Sequence, residues 1–292
     1  MAPFGVIGTS LASGTNVMPC YYPITAYRSN KGKSKETGKW PLVFKLREGY
    51  HDKEVQVPCG QCIGCRLERS KIWAVRCMHE KTLHLDNSFI TLTYNDEHLP
   101  SNKSLKKQDL QKFWKRLRKK FNFRYYACGE YGDENGRPHY HAILFGVDFD
   151  DKQFYRNSNG FAVYTSEILR KKWSHGNAYI GDVSFESCAY VSRYIMKKAL
   201  GKNKETHYEY FDEKTGELSG HLEPEYTTMS RKPGIGRGYY EKYKNDIYTG
   251  TEGSCIIRGG IKIKSPSYYD KVYEEENPET RRYKLSKLEK LK

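Results

Sequence analysis

Residues 123–147, FRYYACGEY-GDENGR-PHYHAILFGV, constrain the fold more than any other stretch. Two runs rich in aromatic and aliphatic side chains flank a short segment carrying Gly132, Asp133, Asn135 and Gly136, residue types that reverse a chain. The pattern predicts an antiparallel hairpin. Its second arm carries two histidines, His139 and His141, inside a run that otherwise reads as a buried strand. Residues i and i+2 leave a strand on the same face, so the two imidazoles project side by side.

A short turn that sets Tyr131 opposite Pro138 also sets Glu130 directly across from His139. Cross-strand partners have Cβ atoms about 4.5–5.5 Å apart. One carboxylate and two imidazoles then converge. They form a donor set for a divalent ion with open positions, Mn²⁺ or Mg²⁺, with Zn²⁺ also admissible. The competing reading is two partly buried histidines with ordinary hydrogen-bond partners. Nucleotide hydrolases that use a third alternating histidine fit poorly, because Ile143 stands at that position.

The rest of the chain alternates strands and helices around this hairpin. SFITLTY (88–94) reads as a buried strand. SLKKQDLQKFWKRLRKKF (104–121) reads as a helix with an apolar stripe of Leu110, Phe113, Trp114, Leu117 and Phe121. Its basic face, including Lys115 and Arg118, is either simply solvated or a phosphate-contacting surface. A helix over about 165–173, capped by Thr165 or Ser166, leads to a strand near 178–185 and to another helix from about Ser187. Residues 1–50 read as loosely ordered, with KGKSKETGK (31–39) as a surface loop, and the pattern weakens beyond Leu200. The predicted class is α+β: a central antiparallel sheet with packed helices and a Cys-rich N-terminal segment. The expected divisions are 1–86, 87–200 and 201–292.

On the last predicted helix, AYVSRYIMKKAL (189–200), Cys188, Val191, Ile195 and Ala199 share the side that should face the sheet. Tyr190, Tyr194 and Lys197 fall at i, i+4 and i+7 on the other side. A tyrosine hydroxyl is a weak nucleophile because its pKa is about 10. A neighbouring cation and a metal that polarises the target make it a plausible one, and Lys197, Arg193 and Lys198 supply positive charge.

Lys+Arg exceed Asp+Glu by 50 to 35, a formal net charge of +15, which favours phosphate backbones or anionic membranes as partners. Aromatics make up 14% of residues, and the pairs Tyr21-Tyr22, Tyr125-Tyr126, Tyr239-Tyr240 and Tyr268-Tyr269 would suit stacking on unpaired bases. No apolar run reaches the length of a membrane span, and no positively charged segment precedes the mildly apolar N-terminus. We therefore expect a cytosolic protein with no membrane partner. Its eight cysteines are then thiols or metal ligands. CGQCIGC places Cys59, Cys62 and Cys65 at knuckle spacing, a zinc signal. Cys77 would sit about 18 Å along a continuous helix, which leaves Cys20 as the preferred fourth ligand. Four reduced structural thiols are the plainer alternative. No GxxxxGK[ST] loop is present, so no small-molecule nucleotide cofactor is expected.

PHYHAILFG followed by Tyr-x-x-x-Tyr on a later helix resembles the HUH endonuclease superfamily. More narrowly, the chain resembles the replication initiators of microviruses, especially the gokushovirus branch. The stretches that carry this are CGQCIGCRLERSKIWAVRCMHE, FITLTYND, LQKFWKRLRKKF, YYACGEYGDENGRPHYHAILFG, GDVSFESCAYVSRYIMKKA and MSRKPGIGRGYY, spanning about 57–240. The resemblance implies an RRM-like core and rolling-circle initiation in the cytoplasm of a bacterial host. It implies metal ligation by Glu130, His139 and His141, and paired nucleophiles Tyr190 and Tyr194. The products would be a 5′-phosphotyrosine link and a 3′-OH for the host polymerase, with unwinding by a host helicase. SRKPGIGRGYY (230–240), with Arg231 and Lys232, would add a DNA-contacting surface. Competing readings are a plasmid initiator, a transposase-type HUH nuclease, or a zinc-containing nucleic-acid-binding module without catalysis.

Overall fold

The computed structural model describes residues 20–34, 38, 40–133, 135–158, 160–193, 204–211, 215–250, 252–256, 260, 262–280, 283 and 286. The chain divides into two compact units, residues 1–65 and 66–292.

In the first unit, β1 (Ile24–Ser29), β2 (Leu42–Val43) and β3 (Gly49–Val57) form a sheet in the order β2-β1-β3, with a one-turn 3₁₀ helix at Leu46–Glu48. Much of residues 20–50 is thus strand rather than loose chain. Five of the nine β3 side chains are exposed, so apolar alternation is weak there and the strand leaves little trace in the sequence. The unit boundary lies in the first turn of α1 (Ile63–Lys81), not at 86/87.

The second unit is built on β4 (Asn87–Tyr94), α2 (Lys107–Arg118), β5 (Arg124–Tyr131), β6 (Pro138–Phe145), β7 (Gln153–Ser158), β8 (Phe161–Thr165), α3 (Glu167–Trp173), β9 (Gly176–Gly181) and α4 (Phe185–Arg193). The remainder comprises α5 (Lys204–His207), β10 (Glu209–Phe211), β11 (Leu218–His221), β12 (Tyr226–Met229), α6 (Arg237–Ile247), β13 (Ser254–Ile256), β14 (Lys262–Lys264) and α7 (Ser267–Glu276). Seven strands form one antiparallel sheet in the order β12-β5-β6-β4-β9-β8-β7. The class is α+β with a central antiparallel sheet, as the hairpin predicts.

Each face of that sheet has its own core. On one, Leu110, Phe113, Trp114 and Leu117 of α2 and Leu169 and Trp173 of α3 pack on Ile90, Leu92, Tyr140, Ala142 and Leu144. On the other, Ala74 and Cys77 of α1 and Cys188 and Val191 of α4 pack on Tyr126, Cys128, Ile143 and Phe145. Strict alternation along β4, half-buried then buried, sends Phe89, Thr91 and Thr93 to this second face. The Ser70 hydroxyl of α1 donates to the Ala189 carbonyl of α4 (3.0 Å), tying the two helices of this face together.

Helix α2 starts at Lys107, later than periodicity alone predicts. The Tyr140 hydroxyl accepts from Lys106 N (2.9 Å) and donates to Lys106 O (3.0 Å), and Lys106 is held extended. Ser166 caps α3, its hydroxyl accepting from Leu169 N (3.1 Å). The β7–β8 hairpin was not legible in the sequence, because every β7 side chain but the last is exposed. Past residue 200, β12 adds an edge strand beside β5, so the sheet does not end at the expected 200/201 division. Helices α6 and α7 enclose a tyrosine-rich core of Tyr240, Tyr248 and Tyr269. Of the four tyrosine pairs, only Tyr21-Tyr22 is exposed at both positions; Tyr126, Tyr240 and Tyr269 are core residues. Among the described residues, no helix is long and apolar enough to cross a membrane.

Candidate metal centre and neighbouring tyrosine

The β5–β6 register pairs Tyr131 with Pro138 and Glu130 with His139, the alignment that the turn predicts. On the other flank of β6, β4 sets Thr91 opposite His141 and Thr93 opposite His139. Glu130, His139, His141 and Thr91 therefore share one sheet face, the one covered by α1 and α4.

Glu130 Oε1 lies 2.9 Å from His139 Nε2 and 2.8 Å from His141 Nε2. Glu130 is 1% exposed and His141 5%. Burial alone would push the Glu130 carboxyl up. The contacts from His139 and His141 more than offset it, leaving the pKa below the ordinary carboxylate value.

The far side of each ring is also held. His139 Nδ1 is 2.9 Å from the Arg137 carbonyl, and His141 Nδ1 is 3.0 Å from Thr91 Oγ1. A carbonyl only accepts, so His139 Nδ1 carries a hydrogen. In the neutral ring Nε2 is then a lone pair. That lone pair faces a carboxylate oxygen, an arrangement that needs positive charge between or upon the partners. Either a protonated imidazole or a bound cation supplies it. The ligand atoms lie within 4.8 Å of one another, and two imidazole nitrogens with one carboxylate oxygen suit a divalent transition-type ion.

Phe89 stacks on His141 at 5.7 Å between ring centroids with planes 2° apart. Tyr190 meets the same imidazole edge-on at 5.1 Å and 88°, and touches Phe89 at 6.3 Å. Helix α4 buries Cys188 and Val191 and leaves Tyr190 37% exposed. One residue of the paired-tyrosine motif is thereby brought to the His/Glu cluster. Arg193, on the same helix, is half-buried. Tyr194, Lys197 and Lys198 lie outside the described residues.

Other sequence candidates are not gathered here. Lys115 and Arg118 are exposed on α2, whose apolar stripe covers the opposite face of the sheet. The Arg118 guanidinium lies over Phe123 and Tyr125 at 5.2 and 5.5 Å. Arg231 and Lys232 are exposed on the segment after β12, while Ile235 of that segment joins the α1/α4 core. Thr91 and Phe89 had no assigned role in the sequence reading. A polar residue at the inward phase of a buried strand was the available signal.

The first unit holds a second cluster. The Sγ atoms of Cys20, Cys59, Cys62 and Cys65 lie within 4.8 Å of one another. Cys77 is instead buried with Cys188 under the second face of the large sheet.

Fold and site together define a class: an α+β protein whose antiparallel sheet presents a two-histidine, one-carboxylate donor set beside a helical tyrosine. A family model for replication-associated proteins of the ORF2 type matches residues 87–199. Replication-associated protein VP4 of Bdellovibrio phage phiMH2K is 37% identical over 233 residues, covering 76% of this chain and 69% of the relative. Replication-associated protein ORF2 of Spiroplasma virus 4 is 32% identical over 278 residues, covering 89% and 81%. Replication-associated protein ORF4 of Chlamydia phage 1 is 32% identical over 165 residues, covering 52% and 41%. No solved structure gives a match. The chain belongs to the microvirus family of replication-associated proteins.

Proposed function

We propose that the protein initiates rolling-circle replication by nicking and religating single-stranded DNA at the origin, with Tyr190 as a nucleophile. The observation that carries this reading is the position of Tyr190: edge-on to His141, whose Nε2 converges with Glu130 and His139.

Glu130, His139 and His141 would hold the divalent ion, Mn²⁺ or Mg²⁺. When bound it supplies charge neutralisation and polarisation at a scissile phosphate. The chain's own work is positional. The Arg137 carbonyl and Thr91 hydroxyl orient the two imidazoles, and α4 delivers the phenol to the same face. In the cleavage step the Tyr190 oxygen bonds to phosphorus and the bond from phosphorus to the 3′-oxygen breaks. The phenol gives up a proton and the departing 3′-oxygen gains one, leaving a 5′-phosphotyrosine and a free 3′-OH. The phosphodiester energy stays in that link, so religation requires no ATP, in keeping with the missing nucleotide-binding loop.

Tyr194, one helical turn on, would be the second nucleophile, cutting the regenerated origin while the first tyrosine remains attached. Lys197 and Arg193 would favour the phenolate form, and Lys198, Arg231 and Lys232 would contact DNA phosphates. Lys115 and Arg118 could do so only on a part of the strand that reaches the α2 face. Elongation and unwinding would fall to a host polymerase and helicase in the cytoplasm of the bacterial cell.

The test uses end-labelled single-stranded fragments of the cognate genome, incubated with protein and Mn²⁺ and run on a denaturing gel. Wild type is compared with Tyr190→Phe, Tyr194→Phe and the double variant. The expected result is a metal-dependent band of protein carrying DNA that disappears in the double variant. DNA retained only under native conditions, on every fragment, would overturn the nuclease reading and leave a binding module.

A further inference from the structure

The four cysteines of the first unit are far apart in sequence yet converge. Cys20 lies just before β1, Cys59 and Cys62 just after β3, and Cys65 in the first turn of α1. Pairing of Ile24 with Val57 brings the start of β1 against the end of β3, which sets Cys20 beside the CGQCIGC turn.

Within that cluster the backbone is arranged around sulfur. Cys59 Sγ accepts from Cys62 N (3.3 Å) and Gln61 N (3.5 Å), and Cys20 Sγ accepts from Cys59 N (3.3 Å). Gly60 supplies the left-handed residue of the turn at φ +73°. Amide hydrogens directed at sulfur favour thiolates over thiols. The Cys20–Cys62 sulfur separation is 3.9 Å. A disulfide needs about 2.05 Å. Tetrahedral zinc with bonds of about 2.3 Å spaces its sulfurs by about 3.8 Å.

We infer that Cys20, Cys59, Cys62 and Cys65 bind one Zn²⁺ as a structural site, separate from the Glu130/His139/His141 centre. The donor set decides the ion: four thiolates select a soft or borderline metal and leave no open position for a substrate or water. A multi-iron cluster would spread its four sulfurs wider than one tetrahedral ion does. Bound zinc would join the two ends of the β1–β3 pair to the beginning of α1. The small sheet of this unit has few buried apolar side chains, Ala26 foremost, so a metal crosslink replaces a hydrophobic core.

The test uses the full chain, purified without chelator and analysed for metal by mass spectrometry. One zinc per chain is expected, released by a mercurial thiol reagent and retained in Glu130→Gln, which disables only the other centre. Cobalt exchanged into the wild-type protein should show the sulfur-to-cobalt charge-transfer band and intense visible bands of a tetrahedral tetrathiolate site. Cys59→Ser with Cys62→Ser should abolish that spectrum, whereas Cys77→Ser should preserve it. Cys20→His should retain zinc, since a three-cysteine, one-histidine set is also tetrahedral. The wild-type cobalt spectrum decides the matter even if the double variant fails to fold. Substoichiometric zinc, iron in its place, or a cobalt spectrum lacking the sulfur band would overturn the assignment.

Discussion

The Thr91 hydroxyl lies 3.0 Å from Nδ1 of His141, across the β4–β6 pairing and fifty residues away in sequence. A hydroxyl can donate or accept, so it tolerates either tautomer of His141. The Arg137 carbonyl allows His139 only one. The two imidazoles are thus held by partners of different kinds.

This arrangement predicts the behaviour of Thr91→Val. Valine keeps the branched shape that suits a strand and removes the hydrogen-bonding group. Mn²⁺ affinity should fall about 10-fold or more, as for other partners that orient metal-bound histidines, with the fold intact by circular dichroism. Calorimetric titration would measure it. Unchanged affinity would mean that the Phe89 stack and Glu130 suffice to orient the ring.

Tyr190→Phe separates packing from chemistry. The phenyl ring retains its edge-on contacts with His141 and Phe89, so stability should change by less than about 0.5 kcal/mol. Formation of the covalent DNA adduct through this position should disappear. A marked drop in melting temperature would instead assign the hydroxyl a structural role.

His79 gives the second unit a pH dependence. It is 5% exposed, stacked on Tyr239 at 3.8 Å and bonded through Nδ1 to the Tyr269 hydroxyl at 2.9 Å. Burial pushes its pKa down to about 4 from the ordinary 6.5. Between those values the unfolded chain binds a proton that the folded chain does not, so stability falls as pH drops from 6.5 towards 4 and levels off below. The full effect is about 3 kcal/mol at most. Urea denaturation at a series of pH values should show the slope, and His79→Gln should flatten it.

Gly176 tests the β4–β9 junction. A Cβ there would sit 2.4 Å from both Asn95 N and Thr93 O, at φ +152°. Both obstacles are backbone atoms of the neighbouring strand and cannot rotate away. Gly176→Ala should therefore cost more than about 2 kcal/mol, read as a shifted urea midpoint. A neutral result would mean that the strand end shifts freely.

The sequence alone determined what depends on short-range geometry. A six-residue turn fixes the hairpin register, and with it the convergence of Glu130, His139 and His141, because these residues are only nine to eleven positions apart. The CGQCIGC spacing is local in the same sense. Helix periodicity likewise marked Cys188 and Val191 as the sheet-facing side of α4. Tertiary structure decided the rest. Whether α2 covers the face bearing the histidines depends on chain crossovers that no local pattern encodes, and it covers the other one, carrying Lys115 and Arg118 away. Tyrosine serves equally in a core and at a base-stacking surface, so only packing shows Tyr126, Tyr240 and Tyr269 inside. Tyr190 meets His141, and Thr91 orients it, through contacts spanning about fifty residues. Those contacts exist because the sheet and the helices of its second face close around one shared core.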